Sequence, residues 1–182
     1  MKTICGIDYS MTSPAICIHT GEEWDLKNCK FYYRTTVKKL HFKNAQFEGM
    51  LMEDYVEQEE RFHNNAMWAD SIFKKHKPNI ASLEGYAMGA KGKVFHIGEN
   101  TGLLKHIMWK NKLKFISPPP TVVKKFATGK GNANKEAMEA AFLEQPNFSI
   151  RDLLMQTAAQ FNPSSDLIDA YFMAKYAFMN PK

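Results

Sequence analysis

Short β-rich apolar runs open the chain. Thr3–Asp8 and residues 14–19 are separated by the turn-forming stretch Tyr9-Ser10-Met11-Thr12-Ser13 and predict an antiparallel hairpin. Residues 28–36 (NCKFYYRTT) read as a third strand that completes a meander, whereas Val37 to Glu48 is ambiguous between helix and strand. From 53 to 76 apolar residues recur at helical spacing (Tyr55, Phe62, Met67, Trp68, Ile72, Phe73) until Pro78 stops the pattern. A short strand at 80–85, a helix at 98–110 and a strand at 114–117 follow, and three prolines then lead into a helix. Further helices are predicted at 134–144, at 150–159 and from Asn162-Pro163 to Phe178. The order βββαβαβα plus helices predicts an α/β fold with a mixed sheet flanked by helices. No Gly-, Pro- or Ser-rich linker divides it, so residues 1–182 are expected to form one domain.

Composition narrows the class. Of 182 residues, 45% are hydrophobic and 24% charged, which suits a soluble globular protein with its own core. No apolar run approaches a membrane span, and nothing suggests a membrane partner. The cysteines Cys5, Cys17 and Cys29 form no CxxC pair, which points to a reducing cytoplasm rather than a disulfide framework. The net charge of +5 is uneven. Eight lysines and no acid lie between Lys105 and Lys135, while six acids and no lysine or arginine lie between Glu48 and Glu60. The lysine stretch is suited to a polyanion such as nucleic acid, or simply to a solvated face.

Four carboxylates carry the candidate chemistry. Asp8 ends the first strand. Glu84 sits in the apolar run IASLEG, where burial is costly unless the group is paired or binds metal. Asp166 and Asp169 share one face of a helix that is apolar nearly all round, and like charges at that spacing repel unless neutralised. An all-oxygen set with no His-Cys cluster selects hard cations, Mg²⁺ or Mn²⁺. Two such ions can clamp the attacking and leaving oxygens of a phosphoryl displacement. The turn from Thr128 to Lys135 leads into a helix start suited to phosphate.

Four segments resemble the RuvC-like Holliday junction resolvases of the RNase H-like superfamily. They are Gly6-Ile7-Asp8-Tyr9-Ser10, Leu83-Glu84-Gly85-Tyr86, the stretch from Pro120 to Met138 with its Thr128-Gly129-Lys130-Gly131 turn, and Asp166-Leu167-Ile168-Asp169-Ala170. The resemblance implies an RNase H-like fold, a homodimer and Mg²⁺ or Mn²⁺ bound by Asp8, Glu84, Asp166 and Asp169. It also implies symmetric nicks in a four-way DNA junction, with Tyr86, Lys91, Lys93, Lys124, Lys125, Lys130 and Lys135 as DNA contacts. A compact, divergent member of this kind suits a bacteriophage or similar virus. The place of the family's aromatic wedge reads Tyr86-Ala87-Met88-Gly89-Ala90-Lys91-Gly92-Lys93, with one aromatic residue and two glycines. The helical face of 53–76 is the expected dimer interface.

Other classes compete. The opening loop also resembles that of actin-like sugar kinases, but those need a second domain that this length leaves no room for. A non-catalytic DNA-binding module would not need all four acids. An RNase H-like nuclease for other branched DNA or RNA–DNA hybrids is separated from a resolvase by substrate assays.

Overall fold

A computed structural model describes residues 2–85, 94–145, 148–157 and 159–181. The hairpin forms as expected, from β1 (Thr3–Asp8) and β2 (Ala15–Thr20), and β3 (Cys29–Thr35) pairs antiparallel with β2. β4 (Phe47–Leu51) then runs parallel to β3. After α1 (Gln58–His76), β5 (Ile80–Leu83) returns parallel to β1; α2 (Val94–Lys110) leads to β6 (Lys114–Ile116), parallel to β5. The helices α3 (Pro120–Thr128), α4 (Lys135–Leu143), α5 (Ile150–Leu153) and α6 (Ser164–Met179) complete the chain. The strand order is β4-β3-β2-β1-β5-β6, a mixed sheet with helices on both faces.

Alternation along β1 sorts the two faces. Ile4 belongs to the core shared with α3 to α6, and Cys5 and Ile7 to the core shared with α1 and α2. Gly6 lies on the α6 side, where a Cβ would sit 2.0 Å from the Ala170 carbonyl oxygen and 2.3 Å from the Ala174 nitrogen. Only glycine lets the helix lie this close to the strand, and this contact sets the distance between Asp8 and the acids of α6.

The structure corrects several expectations. Residues 36–52 hold a 3₁₀ turn at Lys38–Leu40 and the strand β4. β4 was illegible because it is a five-residue edge strand anchored mainly by Phe47, stacked on Phe31 with ring centroids 4.6 Å apart, and by Gly49, against which the Tyr33 ring packs. The helix expected from 53 starts at Gln58, so Glu53, Asp54 and Glu57 precede it. The helix expected over 150–159 is the four-residue α5, and Pro163 caps α6 rather than occupying its first turn. Phe62, Trp68 and Phe73 are buried in the chain's own core, so the expected dimer face of 53–76 covers its own sheet.

Candidate active site

The four acids meet at the carboxyl ends of β1 and β5, where ligand sites form in open α/β sheets. Ile7 and Leu83 are paired across the two parallel strands, so the next residue on each, Asp8 and Glu84, emerges at the same edge. The Glu84 amide donates to the Ile7 carbonyl at 3.3 Å, and the Gly85 amide ties the turn to the Pro118 carbonyl at 3.0 Å. Glu84 thus stands one residue past the strand that was expected to contain it, which spares it full burial. α6 crosses this edge and presents Asp166 and Asp169 from its first two turns. Asp166 is buried, Asp8 and Asp169 are half-buried, and Glu84 is exposed at the cleft mouth.

The acids sense one another. Burial, followed by the charges of Asp166, Asp169 and Glu84, pushes the Asp8 carboxyl well above its ordinary range, against an opposing pull from Lys135. Burial, then Glu84 and Asp166, raises Asp169 to about 7, while Lys124 and Lys135 oppose. Asp166 is raised by burial to about 6, held down by a hydrogen bond from Ser13, by Lys135 and by Ser165. Glu84 is exposed as a residue, yet the cleft walls withdraw enough water from its carboxylate to raise its pKa, with Lys124 opposing. Two nearby lysines therefore offset only part of the negative charge of four acids.

Two clefts meet at Glu84. One, of about 600 Å³, is lined by Asp8, Tyr9, Met11, Leu83, Glu84 and Ile97 among others. The other, of about 260 Å³, is lined by Glu84, Lys124, Lys135 and Asp169 among others. Of the expected DNA-contacting lysines, Lys124 and Lys135 are thus brought to the acids. Lys125 is exposed on α3, and Lys130 lines a separate recess between α3 and α4 with Asn132 and Asn134. Tyr86, Lys91 and Lys93 lie outside the described residues. The N-terminus of α4 is already capped by the Asn134 side chain, which accepts from the Ala137 amide at 2.9 Å.

Three polar residues that sequence reasoning missed surround Asp166. The Ser13 hydroxyl donates to Asp166 Oδ2, Asn162 Nδ2 donates to Ser13 Oγ at 2.9 Å, and Ser165 Oγ donates to Asn162 Oδ1 at 2.9 Å. Lys135 Nζ donates to Asn162 Oδ1 at 3.1 Å and to Ser165 Oγ at 3.4 Å. A serine and an asparagine in turns carry no sequence signal, because such residues favour turns for local reasons.

The donor set fits a hard divalent cation. It is all oxygen, partly desolvated and carries uncompensated negative charge. Among the described residues, no three Asp, Glu, His or Cys side chains are drawn together closely enough to form a finished metal cage.

No protein-family profile matches the chain. A curated crossover junction endodeoxyribonuclease RuvC from Brachyspira hyodysenteriae is 36% identical over 70 residues, which span 38% of this chain and 44% of that relative, less than half its length. Among solved structures, Thermus thermophilus RuvC superposes with a TM-score of 0.61 at 17% identity, covering 97% of this chain and 93% of its own. The fowlpox virus resolvase, solved with its substrate Holliday junction, superposes at 0.54 with 12% identity and covers 97% of both chains. The chain thus has the fold of these resolvase structures over nearly all of its length, and it is similar in sequence to the Brachyspira RuvC over that 70-residue stretch.

Proposed function

We propose that this chain is a structure-specific DNA endonuclease that resolves four-way junctions by metal-dependent phosphodiester hydrolysis. The observation that carries this reading is the meeting of Asp8, Glu84, Asp166 and Asp169 at one sheet edge beside Lys124 and Lys135. The four carboxylates would hold Mg²⁺ or Mn²⁺, two ions per site. When bound, such ions activate water and stabilise the leaving 3′-oxygen. Lys124 and Lys135 orient the scissile phosphate over the acids, and Lys125 and Lys130 contact the flanking backbone. Tyr86, Lys91 and Lys93 extend the DNA surface.

Residues 1–182 act as a single nuclease domain. Each chain offers one set of acids, and a junction needs two opposed incisions, so the working form is a two-fold homodimer. Phe95 and Trp109, 84% and 75% exposed, lie with Leu103 on α2 and offer its apolar contact surface now that α1 is committed to the core. No helix among the described residues is long and apolar enough to cross a membrane.

The test is incubation with a synthetic four-way junction and Mg²⁺, each strand labelled in turn, beside linear duplex and RNA–DNA hybrid. Paired, symmetric nicks confined to the junction are expected. Preferential cleavage of the hybrid would favour a general RNase H-like nuclease.

A further inference from the structure

Asp166 ends a hydrogen-bond chain that starts at Lys135 and runs through Asn162 and Ser13. An ammonium group only donates, so Asn162 must turn its carbonyl Oδ1 toward Lys135 Nζ, 3.1 Å away. Ser165 Oγ donates to the same oxygen at 2.9 Å. The amide nitrogen of Asn162 is then left to face Ser13, and Nδ2 donates to Ser13 Oγ at 2.9 Å. With that lone pair taken, the single hydroxyl proton of Ser13 goes to Asp166 Oδ2. Ser10 Oγ, 3.4 Å from Ser13 Oγ, adds a neighbour but cannot receive that proton while Asp166 holds it.

The chain also links distant parts of the molecule. Ser13 belongs to the turn between β1 and β2, Asn162 to the segment before α6, and Lys135 to the start of α4. Ser13 and Asp166 are both buried, at 6% exposure each, so solvent competes poorly for the bond. The turn that carries Ser13 is itself tied down: the Ser13 amide donates to Ser10 Oγ at 3.0 Å, and buried Asn65 donates to the Met11 carbonyl at 3.2 Å. Ser165 Oγ also approaches Asp166 Oδ1, at 3.5 Å, but its single proton has the shorter path to Asn162 Oδ1 at 2.9 Å, so Oδ1 keeps acceptor capacity while Ser13 holds Oδ2.

We propose that Ser13 is a positioning residue for the metal site: the Lys135–Asn162–Ser13 chain engages Asp166 Oδ2 and turns Oδ1 toward the space shared with Asp8, Glu84 and Asp169. This rests on the reading of those acids as metal ligands. It assigns Lys135 a role inside the protein besides phosphate contact, with two of its three N–H groups used on Asn162 and Ser165. In this role Ser13 acts through Asp166 rather than on the substrate.

The test compares Ser13→Ala, Ser13→Thr and the parent by calorimetric titration of the DNA-free protein with Mn²⁺, together with thermal melts without metal. Outer-shell partners of this kind typically affect metal affinity by about 10–100-fold, so Ser13→Ala is expected to bind Mn²⁺ at least tenfold more weakly. Ser13→Thr, which keeps the hydroxyl, restores most of it. Asn162→Asp keeps the size but removes the donor, and is expected to lose affinity as Ser13→Ala does. Parental Mn²⁺ affinity in Ser13→Ala, or a lowered melting temperature with no change in affinity, overturns the proposal. Failure of the parent to cut junctions while Ser13→Ala still weakens Mn²⁺ binding would sink the resolvase reading and leave this one standing.

Discussion

The two faces of the sheet bury charge in opposite ways. On the α1 side, two arginines are buried and supplied with partners. Arg34, 1% exposed, pairs with Glu53 and donates to Asn65 Oδ1 at 2.9 Å. Arg61 is bonded to Gln58 and to the Tyr55 hydroxyl at 3.1 Å, and lies over the Tyr55 ring. On the α6 side, three aspartates are withdrawn from water and given too little positive charge, so that their pKa values climb. Arg34 is neutralised by Glu53 and Arg61 is held by neutral partners, whereas the acids of the α6 face keep negative charge that the two lysines offset only in part, as the proposed metal site requires. The acid-rich stretch from 48 to 60 thereby finds a use: its Glu53 serves Arg34.

Asp8→Asn and Asp169→Asn should each cut junction cleavage at saturating Mg²⁺ by at least about 100-fold, the scale of several kcal/mol of transition-state stabilisation. The same variants should leave the metal-free melting temperature unchanged or higher, because each removes a repelled charge. A metal-free protein made less stable by both would place these acids among the structural charges.

Arg34→Leu should do the reverse. Loss of a buried guanidinium strands Asn65 Oδ1 and leaves a misfitted space, which costs about 2–4 kcal/mol in urea unfolding. Cleavage per folded molecule should persist, since Arg34 serves the α1 face.

The pH dependence sharpens the contrast. Asp166 and Asp169 have folded pKa values of about 6 and about 7, against an ordinary 3.8. Between these limits the folded state binds more protons than the unfolded chain, so stability falls as pH rises. Their contribution is full below about pH 4 and is lost through pH 6–7. Mg²⁺ should therefore raise the melting temperature more at pH 8 than at pH 5, measured by scanning calorimetry. Equal shifts at both values would count against metal binding at these aspartates.

The smallest effect belongs to Lys125, exposed and away from both networks. Lys125→Ala should weaken junction binding only a few-fold and reduce its salt slope by about one. An unchanged slope would leave Lys125 as a solvated residue.

What the sequence revealed follows the same division. Asp8, Glu84, Asp166 and Asp169 were legible because a carboxylate among apolar neighbours is costly and so demands a reason. Lys124 and Lys135 were legible as charge, but their place beside the acids depends on how α3 and α4 pack. Ser13 and Asn162 were not legible, since a serine and an asparagine are ordinary in turns and their partnership spans 149 residues of chain. Arg34 gave no sign of burial, because its partners Glu53 and Asn65 come from separate elements. β4 was hidden for a related reason: its pairing with β3 is parallel, while the three strands before it alternate in direction.

The contact of Gly6 with Ala170 and Ala174 has a consequence for slow motions. With backbone against backbone there is no side chain between β1 and α6 to rearrange, so the two cannot slide or part by small rotamer changes. The Gly6 segment is also flanked by paired strands on both sides, through Cys17 and Ser82. Amide protons of the central β1 residues and of the middle of α6 should then exchange with deuterium only when the whole domain opens, at one shared rate. Three of the four carboxylates ride on this slow-exchanging unit, so their relative placement should last as long as the fold itself.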